Sequence, residues 1–122
     1  MWAIDTCRLE VVQKLIQMGA EVNAKNWQGA TPLHLATKNN SASVAELLIQ
    51  NRAEVNAQDD QGETPLHKAI LCKSAVVAEK LIHSGADINA PDRSGITPMQ
   101  LAEAFGMTDL VELLKNGMEK KD

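Results

Sequence analysis

His34 and His67 are the side chains of this sequence best suited to chemistry. An imidazole can ligate a metal or move a proton near neutral pH, and these two stand 33 residues apart (67 − 34 = 33). Near them are an adjacent carboxylate pair, Asp59-Asp60, a third imidazole, His83, and two cysteines, Cys7 and Cys72. None of these sets closes. A structural zinc site takes four ligands; two cysteines do not make one alone, and the histidines are badly placed to help. Acid–base work by paired carboxylates needs a pocket and a shifted pKa. Asp59-Asp60 falls in a polar, Gly-ended turn that offers neither, with Asp59 serving the turn and Asp60 pointing outward. No Ser/His/Asp or Cys/His set can be assembled, and no G-x-x-x-x-G-K-[ST] or G-x-G-x-x-G stretch is present. The sequence predicts no enzyme, no metal and no cofactor.

The spacing of the histidines belongs to a larger pattern. Thr31-Pro32-Leu33-His34 returns as Thr64-Pro65-Leu66-His67 and, degraded, as Thr97-Pro98-Met99-Gln100, each step being 33 residues. Val22-Asn23-Ala24, Val55-Asn56-Ala57 and Ile88-Asn89-Ala90 keep the same step, as do Gly29, Gly62 and Gly95. Three signals in one register make the chain a tandem array of one small unit.

Within a unit, the polar stretch ending in Gly29 reads as a tight turn. Thr31 follows as a helix N-cap with Pro32 at the first helical position, where its missing N–H costs nothing. Leu33, Leu35 and Ala36 begin a short helix that Asn39-Asn40 breaks. A second helix starts near Ser43, with Val44, Leu47, Leu48 and Ile49 at helical spacing, and ends at Arg52-Ala53-Glu54. The next unit repeats this with Leu66, Ala69 and Ile70, a turn at Lys73-Ser74, then Val77, Leu81 and Ile82 stopped by Gly85. The last carries Met99, Leu101 and Ala102, turns at Gly106, and continues with Leu110, Val111, Leu113 and Leu114. Upstream, Val11, Val12, Leu15 and Ile16, stopped by Gly19, form the second helix of a first unit whose first helix is a stub from Met1 to about Asp5, with Ala3 in the place of Ala36 and Ala69. That amino end reads equally as a true end or as a cut one with units missing before it. The expected organisation is one domain, 1–122, of about three and a half units: a partial unit 1–24, repeats 25–57 and 58–90, and a C-terminal capping unit 91–122. Lys115, in the place of Ile16, Ile49 and Ile82, gives the cap a polar outer side, as do Gln100 and the charged tail.

This pattern resembles the ankyrin repeat, a 33-residue unit with a Thr-Pro-Leu-His-x-Ala signature, over essentially the whole chain. The resemblance implies an all-α fold with β-hairpin turns, a solenoid of stacked helix-turn-helix units with a concave face of turn tips and first helices. It implies that His34 and His67 tie Thr and neighbouring backbone groups together by hydrogen bonds rather than hold a metal. It places partner contacts at the hairpin tips, Trp27, Gln28 and Ala30, Asp60, Gln61 and Glu63, Arg93, Ser94 and Ile96, and late in each first helix, at Lys38 and Asn39, Leu71 and Cys72, Ala104 and Phe105. Trp27 is the sharpest of these, because Trp and Arg are enriched among interface hot spots. Leu71, Ile96 and Phe105 are expected to form an apolar patch near Trp27, rimmed by Lys38, Glu63 and Arg93. Asn23, Asn56 and Asn89 match the form that asparaginyl hydroxylases modify in ankyrin repeats; the plainer expectation is that they satisfy loop backbone groups. Of the glycines that the family places in the turn between helices, only Gly106 is kept, and Cys7, Asn40 and Lys73 replace the others. Arg52 likewise replaces the helix-ending glycine seen at Gly19 and Gly85. The second and third units should therefore be the softer middle of the array.

The expected function is a protein–protein interaction module that binds through its concave face and catalyses nothing; a spacer or tether within a larger protein, or a self-associating array, are the alternatives. A net charge of −4 argues against nucleic acid and anionic membrane. No apolar run reaches the ~20 residues of a membrane span, and no segment reads as a signal peptide. Asn39-Asn40-Ser41 is a glycosylation sequon that has no use without one. Cys7 and Cys72, almost two repeats apart, should be too distant to pair and read as free thiols. These features predict an intracellular chain, cytoplasmic or nuclear, monomeric on its own. Its core must come from aliphatic side chains, because Trp2, Trp27 and Phe105 are the whole aromatic complement.

Overall fold

The structure, a computed structural model, describes residues 13–14, 16–19, 21–38 and 42–119, with 116–119 described by backbone alone. The expected stub from Met1 to Asp5, Trp2, Ala3, Cys7, Val11, Val12, Leu15, Asn39, Asn40 and Lys120 to Asp122 lie outside the described residues.

Among the described residues six helices have both ends placed: α1 Pro32–Lys38, α2 Ala42–Gln50, α3 Pro65–Leu71, α4 Ala75–His83, α5 Pro98–Ala104 and α6 Thr108–Glu119. The first helix of each pair is nucleated by its capping box. The Thr64 hydroxyl accepts the His67 N–H at 3.3 Å, and the Thr64 N–H donates to His67 Nδ1 at 3.1 Å. At α5 Gln100 replaces the imidazole without loss: Oε1 accepts the Thr97 N–H at 3.0 Å while the Gln100 N–H donates to the Thr97 hydroxyl at 3.2 Å. α4 ends in paired reverse bonds, Gly85 N–H to the Ile82 carbonyl and Ala86 N–H to that of Leu81, around a Gly85 φ of 96°. This is the left-handed stop expected from the sequence.

The same stop is made where glycine is missing. Arg52 has a φ of 72° and Lys73 one of 55°, the left-handed region in which a Cβ costs about 1 kcal/mol. Their neighbours make the same bonds: Ala53 N–H reaches the Leu48 carbonyl, and Ser74 N–H that of Ala69. The backbone register thus overrides residue preference at both sites. α6 behaves differently. It runs for 12 residues against nine in α2 and α4, straight through the position equivalent to Gly85.

First helices pack on first helices (α1 on α3, α3 on α5) and second helices on second helices (α2 on α4, α4 on α6). Ala36, Ala69 and Ala102 are all fully buried at one register, letting the short first helices approach closely. Leu48, Leu81 and Leu114, and Val44, Val77 and Leu110, form the matching rows of the second layer. At the carboxyl end the rows turn polar. Glu103 is exposed where Ile70 is buried, and Lys115 is exposed where Ile49 and Ile82 are half-buried. Among the described residues no strand is formed; the projecting turns are hydrogen-bonded loops, and β-hairpin character is not shown in them.

The two strained turns give a direct test. Arg52→Gly and Lys73→Gly should each raise unfolding free energy by about 0.5–1 kcal/mol, adding in the double variant, whereas Leu66→Ala should lower it by about 2–5 kcal/mol. Urea unfolding followed by circular dichroism reads all three; unmoved midpoints in both glycine variants would mean that the left-handed turns carry no strain.

Candidate protein-docking face

Three fingers project before α1, α3 and α5. Each is closed across its base, by Asn26 N–H to the Ala30 carbonyl (2.9 Å), Asp59 N–H to Glu63 (3.0 Å) and Asp92 N–H to Ile96 (2.9 Å). Each is braced inside by the first residue's side chain: Asn26 Oδ1 accepts the Gln28 and Ala30 N–H groups, and Asp59 Oδ1 and Asp92 Oδ1 do the same at their registers. The fingers are then stitched to one another. Asp60 N–H donates to the Gln28 carbonyl and Arg93 N–H to the Gln61 carbonyl, both at 3.0 Å. Gly29 serves the turn and the stitch together: at a φ of 75° it is already left-handed, and a Cβ there would lie 2.6 Å from Asp60 Oδ1.

The histidines complete this frame. His34 Nδ1 accepts the Thr31 N–H at 3.1 Å, which leaves the proton on Nε2; that N–H donates to the Glu63 carbonyl of the next finger at 2.8 Å. His67 repeats the arrangement between Thr64 and the Ile96 carbonyl, also at 2.8 Å. Both ring nitrogens of both residues are therefore committed to backbone, with no lone pair left for a metal. His83 is exposed. Asn23 bridges units in the same manner, its amide donating to the Arg52 carbonyl and accepting the Glu54 N–H, and Asn56 does so with Gly85 and Asp87. Asn89 is exposed, as are Asn23 and Asn56.

With the polar interior so employed, the outward side chains have little structural work. Trp27 is 90% exposed, so it does not fold over its own turn. Gln28, Asp60, Gln61, Arg93 and Ser94 are exposed beside it, with one guanidinium N–H of Arg93 anchored on the Asp60 carbonyl at 2.9 Å. Ile96 is also exposed, at 38%. Two expectations need correction. Ala30 is buried under the finger. Glu63 is not a free rim charge: its carboxylate is 2.7 Å from Lys68 Nζ, which also reaches Asp59 at 3.3 Å. The sequence reading missed Lys68. Its signal was available, because a cation stands where Leu35 and Leu101 stand in the neighbouring units.

That triad sets the local electrostatics. Burial raises the Asp59 pKa, but the N–H groups of Glu63 and Gln61 and the Lys68 ammonium outweigh it and hold the carboxyl below its usual value. Burial lowers Lys68, and its bonds to Glu63 and Asp59 reverse that and hold it above its usual value. An anion so held is a poor base. The open cleft of about 570 Å³ between the second and third fingers is lined by Asp59, Asp60 and Asp92 among others.

A second exposed strip lies at the other end of the first helices. Lys38, Leu71, Cys72, Ala104 and Phe105 are exposed, with Cys72 a free thiol. Cys72 Sγ lies 3.7 Å from the Lys38 carbonyl, and Lys73 Nζ lies 6.0 Å from the centre of the Phe105 ring, so the strip is continuous across three units. It does not join Trp27. Leu71 and Phe105 are at the C-terminal ends of seven-residue helices, whereas Trp27 and Ile96 precede the N-terminal ends, a separation of about 10 Å along the axis alone. The single patch expected from sequence is two patches.

Among the described residues no three His, Cys, Asp or Glu side chains converge as a metal site, and no helix is long and apolar enough to cross a membrane. A family model describing ankyrin repeats, in three copies, matches residues 1–92. No curated protein matches the chain.

The imidazole clamp makes a pH prediction. Burial holds His34 below its ordinary 6.5, against the opposing effect of the Glu63 carbonyl. The unfolded chain therefore takes up a proton first, so the His34 contribution is whole above pH 6.5 and is lost as pH falls from 6.5 toward the folded value. Asp59, depressed when folded, adds a further loss below its ordinary 3.8. His34→Gln should abolish the His34 part of the first decline and cost about 1 kcal/mol at pH 8. Urea midpoints measured across pH 4–8 check this; a wild-type midpoint flat from pH 8 to 5 would contradict it.

Proposed function

We propose that this chain, which belongs to the ankyrin-repeat family, is a non-catalytic module that holds a protein partner on its finger tips and first helices. Ankyrin repeats are generally protein–protein interaction modules and are typically not enzymes. The observation that carries the reading here is Trp27. A large aromatic side chain 90% open to water on a finger braced from inside is a cost to solubility with no structural return, and such side chains anchor interfaces. Arg93 supports it, since the bond to Asp60 leaves most of its guanidinium donors free for a partner.

In this reading Gln28, Asp60, Gln61, Ser94 and Ile96 surround the anchor, and Lys38, Asn39, Leu71 and Phe105 extend the contact along the first helices. Glu63 takes part through the Lys68 pair rather than as a free charge. The units run over 25–57, 58–90 and a capping 91–122 after the partial 1–24, the chain is monomeric by itself, and its setting is inside the cell, cytoplasmic or nuclear. Hydroxylation at Asn23, Asn56 and Asn89 is a subsidiary proposal, which for Asn23 and Asn56 would modify side chains that already join two units.

The test is loss of a partner without loss of fold. A protein retained by the immobilised chain should be retained at least about tenfold less by Trp27→Ala and by Arg93→Glu, with helical circular dichroism unchanged. Retention equal to wild type in both variants would refute the docking face. Light scattering of the free chain should give the monomer mass.

A further inference from the structure

We propose that the strip at the C-terminal ends of the first helices receives a carboxylate-rich segment of the partner, which sets one large apolar side chain between Leu71 and Phe105 and its carboxylates against Lys38 and Lys73. The inference rests on the partner-binding reading above and adds the chemistry of the partner.

Charge is the first argument. Among the described residues Lys68 is held by Glu63 and Asp59 and Lys80 by Glu46 at 3.1 Å, whereas Lys25, Arg52, Arg93 and Lys115 make no such ion pair. Lys38 and Lys73 are exposed and, among the described residues, neither has a carboxylate within ion-pair distance. In a chain of net charge −4, an unneutralised positive strip attracts the opposite sign. The second argument is that apolar surface accompanies the two cations along the strip. Leu71 is 40% and Phe105 39% exposed, so a complementary segment needs a greasy side chain as well as acids.

The backbone at Lys73 supplies the third. Glycine makes this turn without strain at Gly106, whereas Lys73 makes it at a φ of 55°. That strained site is where an ammonium stands over Phe105, 6.0 Å from the ring centre. Strain of this kind persists at sites that use it. Lys73 therefore lowers the stability of its turn while placing a charge beside the aromatic ring that a partner would cover.

The probe is a fluorescein-labelled dodecapeptide of Glu, Asp, Leu and Phe, with a twin in which every Glu and Asp is Gln or Asn, titrated against the full chain by anisotropy. The acidic peptide should bind, more weakly as salt rises, and the amide twin should bind at least about tenfold more weakly. Lys38→Gln and Lys73→Gly should each weaken the acidic peptide by about fivefold to tenfold. Lys73→Gly removes the ammonium while relaxing the turn, so its loss of affinity cannot come from unfolding. Amide chemical shifts should move at 38, 71–73 and 105. No binding of the acidic peptide, equal binding of the twin, or wild-type affinity in both variants overturns the inference. So does tighter binding to phosphatidylserine vesicles than to the peptide, which would make the strip a membrane contact. Shifts confined to the fingers overturn it too, while leaving the wider docking reading intact.

Discussion

The array is held by one thin layer of helices covering the apolar side of the next. α1, α3 and α5 have seven residues each, well under the ~12–15 at which a helix holds in water unaided. Each keeps its form because Leu33, Leu66 and Ile70, and behind them Leu48, Leu81 and Leu114, are removed from solvent only when a neighbour is present. Stability in such an array is a sum over units and the contacts between them. The ends must then be polar where the middle is apolar, as Glu103 and Lys115 are. A structure one helix pair deep also has little room for an enclosed site, which agrees with the shallow, open clefts between its fingers.

Burial alone would let the layers slide. Register comes from polar groups that each span two units: the Nε2–H of His34 and His67, the amides of Asn23 and Asn56, and the backbone stitches from Asp60 and Arg93. These bonds are directional, and those of His34 and His67 are partly buried, so a slip of one residue would break them together. They also occupy His34 and His67, the side chains that looked best suited to chemistry. Asp59 and Asp92 cap finger amides, and the imidazoles are engaged at both nitrogens. What remains on the surface is the side chains that the frame does not need, Trp27 at one end of the first helices and Lys38, Leu71, Lys73 and Phe105 at the other.

Much of this was legible in the chain. The 33-residue step aligned Thr64 and Thr97 as caps, and the resemblance to the ankyrin repeat implied that His34 and His67 act as clamps and that Arg52 and Lys73 stand where glycine is usual, positions at which both have positive φ. Trp27 could be read as an outward residue by the same count. Lys68 stood out in the sequence as a cation in the place of Leu35 and Leu101, but its pairing with Glu63 and Asp59 needed the distances between finger and helix that only the folded chain gives. The length of α6 was not legible either: what ends α2 and α4 is a left-handed residue bridged by the asparagine of the preceding unit, and α6 continues through the equivalent position.

The amino-acid sequence by itself thus determined the unit, its caps and turns, and which residues face inward, because those follow from local backbone preference and the period of apolar residues. Only the tertiary structure decided which outward residues are neighbours. Trp27 and Leu71 share a repeat pattern but lie at opposite ends of the layer of first helices, one before α1 and the other at the end of α3, whereas Lys73 and Phe105, 32 residues apart in the chain, meet at 6.0 Å. Stacking sets those distances, and stacking is a property of two units together that neither one's sequence contains.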